Sequence, residues 1–138
     1  MTANTKIDLN AGKIARMEGL DDLARVLIPG NKRQQLVFIA IFVELKWAPG
    51  QSLPTLEPIA QKHEISSRTL ETVRAKMRRL GIIDHVSRFN RQRGYREGWI
   101  LSRRFERSLE RLSEQLGNFK RRNDGVQEQK DRDVYRYI

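Results

Sequence analysis

The sequence contains no cysteine, which excludes disulfide bonds, thiolate metal sites and a thiol nucleophile. It also has no long apolar run, since the longest, residues 36–43, is far shorter than the eighteen or so residues that cross a bilayer. No phosphate loop, nucleophile elbow or carboxylate pair is present in the sequence, and we expect no signal peptide. We therefore expect no enzyme, no cofactor and no membrane span, and a cytoplasmic, nucleoid-associated location.

Basic residues are in excess, and the excess is local. The 138 residues include 27 Lys and Arg against 17 Asp and Glu, a formal net charge of +10. Residues 62–104 hold twelve basic and four acidic side chains, whereas the remainder holds fifteen and thirteen. Such a concentration is expected of a surface that binds a polyanion, either nucleic acid or an acidic membrane surface, rather than of general solubilisation. Membrane-surface binding is the least favoured, because the basic residues have no exposed Trp, Phe or Leu beside them, so we expect no membrane partner.

Apolar periodicity and helix-ending residues divide the chain into four segments. We expect residues 1–30 to contain one helix, over residues 11–27, that contributes to a dimer interface. Residues 31–102 are the expected DNA-binding domain, and residues 103–122 a C-terminal dimerisation helix. Residues 123–138 are polar and mixed in charge, which is typical of a mobile tail.

The segment 31–102 predicts three helices followed by a ribbon. Asn31 caps a helix whose apolar stretch predicts burial on most sides. A short helix then follows a cap at Thr55. Ser66 caps a third helix over residues 67–80, which Gly81 ends in the left-handed conformation. Residues 82–102 are β-prone around a basic tip, so the predicted fold class is mainly α with a small β-ribbon.

The helix over residues 67–80 has one apolar side and one basic side. Leu70, Val73, Met77 and Leu80 recur at helical spacing, and the cations lie largely opposite. A helix fits the major groove of DNA, where arginine can bind guanine and threonine can bond a base edge. Arg78 and Arg79, near the helix end, suit phosphates better. The predicted DNA contacts of this region are Ser66, Ser67, Arg68, Thr69, Thr72, Lys76 and Arg79.

The ribbon predicts a second DNA contact. Its basic side chains surround Gly94, at a tip that can enter a minor groove or lie along phosphates. The predicted contacts there are Arg88, Arg91, Arg93 and Arg96. Trp99 is expected to pack the ribbon onto the core, whereas Tyr95 is open to packing or to stacking on a base.

Residues 59–70 resemble a helix-turn-helix, with small Ala60 where two helices touch, Ile65 in the turn, Ser66 as cap and Leu70 packing back. With the basic ribbon, the order of elements resembles a winged helix and is similar to MarR-type dimeric regulators. Residues 50–60 are similar to the entry of GntR-type DNA-binding domains, although the chain has no room for their large effector domain. Glu64 stands where the pattern commonly has glycine, at a cost of about 1 kcal/mol if its φ is positive.

The resemblance implies transcriptional regulation by a homodimer, with residues 67–76 in the major groove and the flexible wing on flanking DNA. The dimer is expected to use an apolar seam at four- and three-residue spacing in the C-terminal helix. That seam consists of Phe105, Leu109, Leu112, Leu116 and Phe119. The alternative for the same residues is intramolecular cover over the core helix.

Other readings stay open at this point. His63 and His85 have no second ligand at a metal-binding spacing, which favours surface or structural roles over a metal site or a general base. The same fold can serve a plasmid or viral protein that binds an origin or partition site. It can also hold a protein or RNA partner inside a larger complex. No residue indicates a small-molecule effector, so that ligand is unknown.

Overall fold

The computed structural model describes residues 6–90, 94–122 and 125–137, without the side chains of residues 88–90 and 94–96. The chain is mainly helical and has a small three-stranded antiparallel sheet, as the mainly-α class with a β-ribbon predicts. It divides into two compact units, Met1–Phe105 and Glu106–Ile138.

The first unit opens with two helices where one was predicted. Helix α1 spans Ala11–Ala15 and helix α2 spans Leu20–Leu27. The single helix over residues 11–27 is wrong because Gly19 is extended and serves as the N-cap of α2. The Asp22 carboxylate accepts hydrogen bonds from the amides of Glu18 (3.0 Å) and Gly19 (3.3 Å), which fixes the break and lowers the pKa of Asp22.

Helix α3, Lys32–Lys46, is the central helix of the first unit. Its predicted cap is confirmed, since Asn31 Oδ1 accepts from the amide of Gln34 at 3.0 Å. Seven of the eight residues of its apolar stretch, residues 36–43, are buried or half-buried, so burial on most sides is confirmed. The exception is Leu36, which is 59% exposed, and the C-cap residue Trp47 is 75% exposed. Eleven residues apart, the two share the helix side that faces away from the core.

A 3₁₀ turn, Pro49–Gln51, leads into strand β1, Ser52–Leu53, and then helix α4, Glu57–Lys62. The amide of Glu57 donates to Thr55 Oγ1 at 3.3 Å, although the N-cap position falls on Leu56, one residue later than predicted. Helix α5, Ser67–Leu80, follows a turn in which Glu64 has φ +53°. Glu64 therefore has the positive φ to which we attach a steric cost. Gly81 ends α5 with φ +88°, as predicted.

The predicted ribbon is confirmed as strands β2, Ile83–Asn90, and β3, Gly94–Leu101. They pair antiparallel from Ile83 opposite Leu101 to Asn90 opposite Gly94. Strand β1 pairs with the other edge of β3, giving the strand order β1-β3-β2. This third strand was expected only as an extended segment, because its pairing joins residues almost fifty positions apart.

The core of the first unit lies between α2, α3, α5 and the sheet. Its largest fully buried side chains come from α3 and α5 and from the segments that follow each of them: Phe38, Ile41, Leu45, Leu56, Leu70, Val73, Met77 and Ile83. Trp99 of β3 joins this cluster, so its predicted packing role is confirmed. Within the described ranges no polar or charged side chain is buried. The apolar side of α5 therefore packs into this core.

Helix α6, Arg104–Lys120, starts at the end of the first unit and continues into the second. Its start is fixed by Ser102, whose Oγ accepts from the amide of Arg104 at 3.2 Å. The second unit also contains helix α7, Gly125–Val134, and a 3₁₀ turn, Tyr135–Tyr137. Helix α7 lies in the segment expected to be a mobile tail, where an Arg132–Glu128 pair (2.9 Å) at i,i+4 spacing supports it. None of the residues described in this unit is buried.

Candidate nucleic-acid interface

The outer side of α5 is an exposed basic surface. Leu70, Val73 and Met77 are fully buried on the inner side, which directs the opposite side to solvent. Arg68, Ala75 and Arg79 are exposed there at seven- and four-residue spacing. Ala75 is small, so a partner can approach the helix backbone closely between the two arginines. We call Arg68, Thr72, Ala75 and Arg79 the outer face of α5.

Hydrogen bonds fix the residues at the start of α5. The Ser66 hydroxyl accepts from the Thr69 amide at 3.2 Å and donates to Thr69 Oγ1 at 2.9 Å. No described residue accepts from the amides of Ser67 and Arg68, the first two of the helix. Because a helix start leaves such donors free and carries a partial positive charge, these two amides can bind a phosphate oxygen.

Thr72 is half-buried in the middle of α5, and its hydroxyl donates to the carbonyl of Arg68 at 2.9 Å. The hydroxyl proton is therefore used within the helix. The oxygen lone pairs and the methyl group remain, and they suit a base amino group or a thymine methyl. Thr72 stays on the outer face, but we expect it to accept a hydrogen bond or to make a methyl contact, and not to donate a hydrogen bond.

Lys76 differs from the other predicted contacts. It is half-buried, and its Nζ donates to Gln34 Oε1 of α3. The Lys76 side chain therefore lies on the flank of α5 that faces α3, and not on the outer face with Arg68 and Arg79. A sequence offers no signal for this contact, because the two residues are 42 positions apart.

The opposite flank of α5 rests on the ribbon. The guanidinium of Arg74 lies 5.3 Å from the centroid of the Trp99 ring, and that of Arg78 lies 5.9 Å from it. The centroids of the His85 and Trp99 rings lie 4.8 Å apart in an edge-to-face arrangement. These cation–π contacts attach the base of the ribbon to α5. Arg74 was not predicted as functional, and its position four residues after buried Leu70 is the signal that it borders the core side.

A network at the end of α5 was also missed. Arg104 donates to both carboxylate oxygens of Asp84, with Nη2–Oδ1 at 2.6 Å and Nε–Oδ2 at 2.9 Å. Its Nη2 also donates to the carbonyl of Arg78 at 2.9 Å. The hydrogen bond from Arg104 lowers the pKa of Asp84, and the same bond raises the pKa of Arg104. Gly81 allows this approach, because a Cβ there would lie 2.9 Å from Arg104 Cβ.

These groups border an open cleft between α5 and the base of the ribbon. Its basic lining residues are Arg74, Arg78, Arg79 and Arg104, and its acidic ones are Glu71 and Asp84. Three of the four arginines already have internal contacts: Arg74 and Arg78 with Trp99, and Arg104 with Asp84. Arg78 and Arg79 are the exposed pair at the cleft edge, consistent with the phosphate contacts predicted for the end of the helix.

The predicted wing residues are described only in part. Arg88 and Arg96 are Cα partners in the β2–β3 register, which places them at the same level of the ribbon. Arg91 and Arg93 lie outside the described residues, and so does the ribbon tip between the strands. The strands therefore support the position of the predicted wing, and the contacts of its tip stay a prediction.

Both histidines pair with glutamates. His63 Nε2 lies 3.3 Å from Glu44 Oε1, which also accepts from Lys62 Nζ at 2.8 Å. The hydrogen bond from Lys62, with that of His63, lowers the pKa of Glu44. His85 Nε2 lies 3.3 Å from Glu97 Oε1. Within residues 6–90, 94–122 and 125–137 no cluster of three metal-ligating side chains occurs, and no helix is long and apolar enough to span a membrane.

The predicted dimer seam is exposed except at its first member. Phe105 is half-buried and packs against the core of the first unit, and its amide donates to the Gly81 carbonyl at 3.0 Å. Leu109, Leu112, Leu116 and Phe119 are 37%, 61%, 52% and 76% exposed. The structure thus separates Phe105 from the other four, which form one apolar stripe along α6.

No family model, curated protein or solved structure matches this chain. Its function is therefore inferred from the geometry and charge of its own residues.

Proposed function

We propose that this chain is a homodimeric winged helix-turn-helix protein that binds double-stranded DNA sequence-specifically and regulates transcription. The outer face of α5 carries this proposal. Arg68 and Arg79 are exposed on a helix whose other side is fully buried, with the small residue Ala75 between them. A rigid basic helix of this kind fits the major groove of DNA.

The order of elements supports the winged-helix interpretation. Helix α4, the turn at Glu64 and helix α5 follow one another directly, and the antiparallel strands β2 and β3 come next. In this interpretation α5 is the recognition helix, and the strands that carry Arg88 and Arg96 form the wing. Cation–π contacts of Trp99 with Arg74 and Arg78 hold the base of that wing against the helix. The two DNA-contacting elements are then preorganised relative to each other.

Different side chains of α5 take different roles. Arg68 and Thr72 lie in the first half of the outer face, where base edges are read, and Ser67 offers its amide to a phosphate. Arg78 and Arg79, about two to three turns later, bind the sugar-phosphate backbone. Lys76 contributes general electrostatic attraction only, because it is engaged with Gln34. Specificity therefore depends mainly on Arg68.

The salt dependence of binding tests the proposal. If a dimer neutralises about six to ten phosphates, its affinity for duplex DNA should fall by about 10³- to 10⁵-fold between about 50 and 200 mM salt. Arg79→Ala should reduce the slope of that dependence. Arg25→Ala removes one charge from the exposed side of α2, where Arg25 pairs with Asp21 and Asp22, and is the matched control. A flat salt response, or equal slopes for the two variants, would contradict DNA binding through α5.

A second candidate is a role in holding a protein partner, and the exposed side of α3 favours it. Leu36 and Trp47 are more than half exposed on a helix that is otherwise part of the core. Exposed apolar side chains of this size on one helix side are common in protein-binding surfaces. Trp47→Ala should leave DNA affinity unchanged under the leading proposal. Loss of a stoichiometric protein partner in that variant, with no duplex retained at physiological salt, would favour the second candidate.

A further inference from the structure

The apolar stripe of α6 has no cover within the second unit. Leu109, Leu112, Leu116 and Phe119 are all exposed, and none of the described residues of that unit is buried. Water-exposed stripes of this length on an amphipathic helix are normally buried against a partner. The question is which partner, and in which orientation.

The spacing of the stripe suits a second copy of α6. Intervals of three, four and three residues place Leu109 and Leu116 at the a positions of a heptad and Leu112 and Phe119 at the d positions. Two such helices can pair in either direction. In an antiparallel pair, Leu109 packs against Phe119 of the partner subunit and Leu112 packs against Leu116 of the partner subunit. Each of the four residues then has one apolar partner.

The charges that flank the stripe choose the direction. Glu106 and Lys120 occupy equivalent flanking positions, two heptads apart, and neither side chain has a hydrogen bond or an ion pair among the described residues. An antiparallel pair brings Glu106 opposite Lys120 of the partner subunit, and it does so twice. A parallel pair brings Lys120 opposite neutral Gln115 of the partner subunit and forms no pair of opposite charges across the seam.

We propose that α6 of two copies forms an antiparallel pair with a two-fold axis close to Ser113. The surface is complementary to itself, as an isologous interface requires. The pairing specifies the dimer of the proposed function, yet it depends only on the residues of α6 and not on DNA. It also leaves Phe105 in its place against the core, because the four apolar residues that pair all follow it.

Single cysteines can report the direction, since the chain has none of its own. In the antiparallel pair Ser113 faces Ser113 of the partner subunit, whereas the two copies of Glu106 are separated by about 21 Å along the axis. Ser113→Cys should therefore be linked to itself efficiently by a short bis-maleimide. Glu106→Cys and Lys120→Cys should each fail alone and react when mixed. Equal linkage of the three single variants would overturn the antiparallel arrangement, because a parallel pair keeps identical residues at one level.

Charge reversal provides an independent readout by sedimentation equilibrium without DNA. Glu106→Lys and Lys120→Glu should each weaken the dimer by about tenfold or more, since two exposed ion pairs become repulsive. The double variant, or a mixture of the two single variants, should restore it. Unchanged dimer affinity in both single variants would contradict the proposed contacts, and so would a wild-type chain that stays monomeric.

The same samples distinguish this inference from the proposed function. A dimer linked through Ser113→Cys that does not bind duplex DNA supports the pairing and overturns DNA binding. Conversely, salt-dependent duplex binding by a chain with the parallel linkage pattern supports the proposed function and overturns the antiparallel pairing. Circular dichroism of each variant measures its helix content, which distinguishes unfolding of α6 from loss of the contacts between two copies of α6.

Discussion

Helices α5 and α6 are both amphipathic, but they differ in what covers their apolar side. The stripe Leu70, Val73 and Met77 of α5 is buried in the core, so only the basic side of this helix is available to a partner. The stripe of α6 from Leu109 onward stays exposed. The same amphipathic pattern therefore gives a covered apolar side in α5 and an uncovered apolar side in α6. This difference underlies our proposal of a polyanion as the partner of α5 and a second copy of α6 as the partner of α6.

The largest expected effect comes from shortening one side chain in each stripe. Leu70→Ala should lower the free energy of unfolding by about 2–5 kcal/mol, because it leaves a cavity in the core. Leu112→Ala should change it by less than about 0.5 kcal/mol in the monomer, because Leu112 is exposed there. Urea unfolding of dilute protein, followed by tryptophan fluorescence, measures both. Equal losses would contradict the contrast between the two helices.

The next effect separates two cations of α5. Arg68→Ala should reduce discrimination at one base pair by about 1–3 kcal/mol, because Arg68 lies on the outer face. Lys76→Ala should weaken binding to all sequences alike, because its amine already bonds Gln34. Competition binding with single-base variants of a preferred duplex gives both values. A loss of discrimination in Lys76→Ala as large as that in Arg68→Ala would contradict the assignment of base contacts to the outer face of α5.

A smaller effect concerns the network that joins the end of α5 to the start of α6. The pKa of Asp84 is lowered by its hydrogen bond with Arg104, so the stabilisation is complete above the unfolded pKa of about 3.9. It is lost as the pH falls through the lower, folded pKa. Asp84→Asn should cost about 1 kcal/mol near neutral pH, and its difference from the wild type should vanish in acid.

Unfolding free energies of the wild type, Asp84→Asn, Arg104→Gln and the double variant measure this effect across pH. The cycle should give a coupling that is present near neutral pH and absent in acid. A coupling of zero, or one that does not change with pH, would mean that the Asp84–Arg104 pair contributes nothing to stability.

The smallest effect is at the turn before α5. Glu64 has φ +53°, where glycine carries no steric penalty, so Glu64→Gly should stabilise the first unit by about 0.5 kcal/mol. The gain is small because glycine also adds entropy to the unfolded chain. Thermal unfolding, with Glu64→Ala as the control that keeps the strain, measures it. Destabilisation by glycine relative to alanine would show that the turn is not strained at this residue.

The sequence predicts the features that depend on neighbours along the chain. The start and end of α5 follow from Ser66 and Gly81, and its two sides follow from helical spacing. The ribbon follows from its β-prone strands. In contrast, the break at Gly19 depends on hydrogen bonds from the amides of Glu18 and Gly19 to the Asp22 carboxylate. The spacing of apolar residues carries no information about these bonds.

Features that join distant residues could not be predicted in this way. Strand β1 pairs with β3 across almost fifty residues, and Lys76 bonds Gln34 across 42. Nothing in the local pattern around Arg104 indicates that it binds Asp84 rather than solvent or DNA. Spacing along a helix gives the side on which a cation lies, but only the packing of the other elements decides whether that side is free.

The most direct test of the central claim is selection from a random pool of duplex DNA, followed by sequencing of the bound fraction. A dimer that reads bases through the outer face of α5 predicts an enriched motif with two-fold symmetric halves, and Arg68→Ala should lose one position of each half. Retention of duplex with no motif enriched, or no retention even at low salt, would contradict sequence-specific DNA binding by this helix.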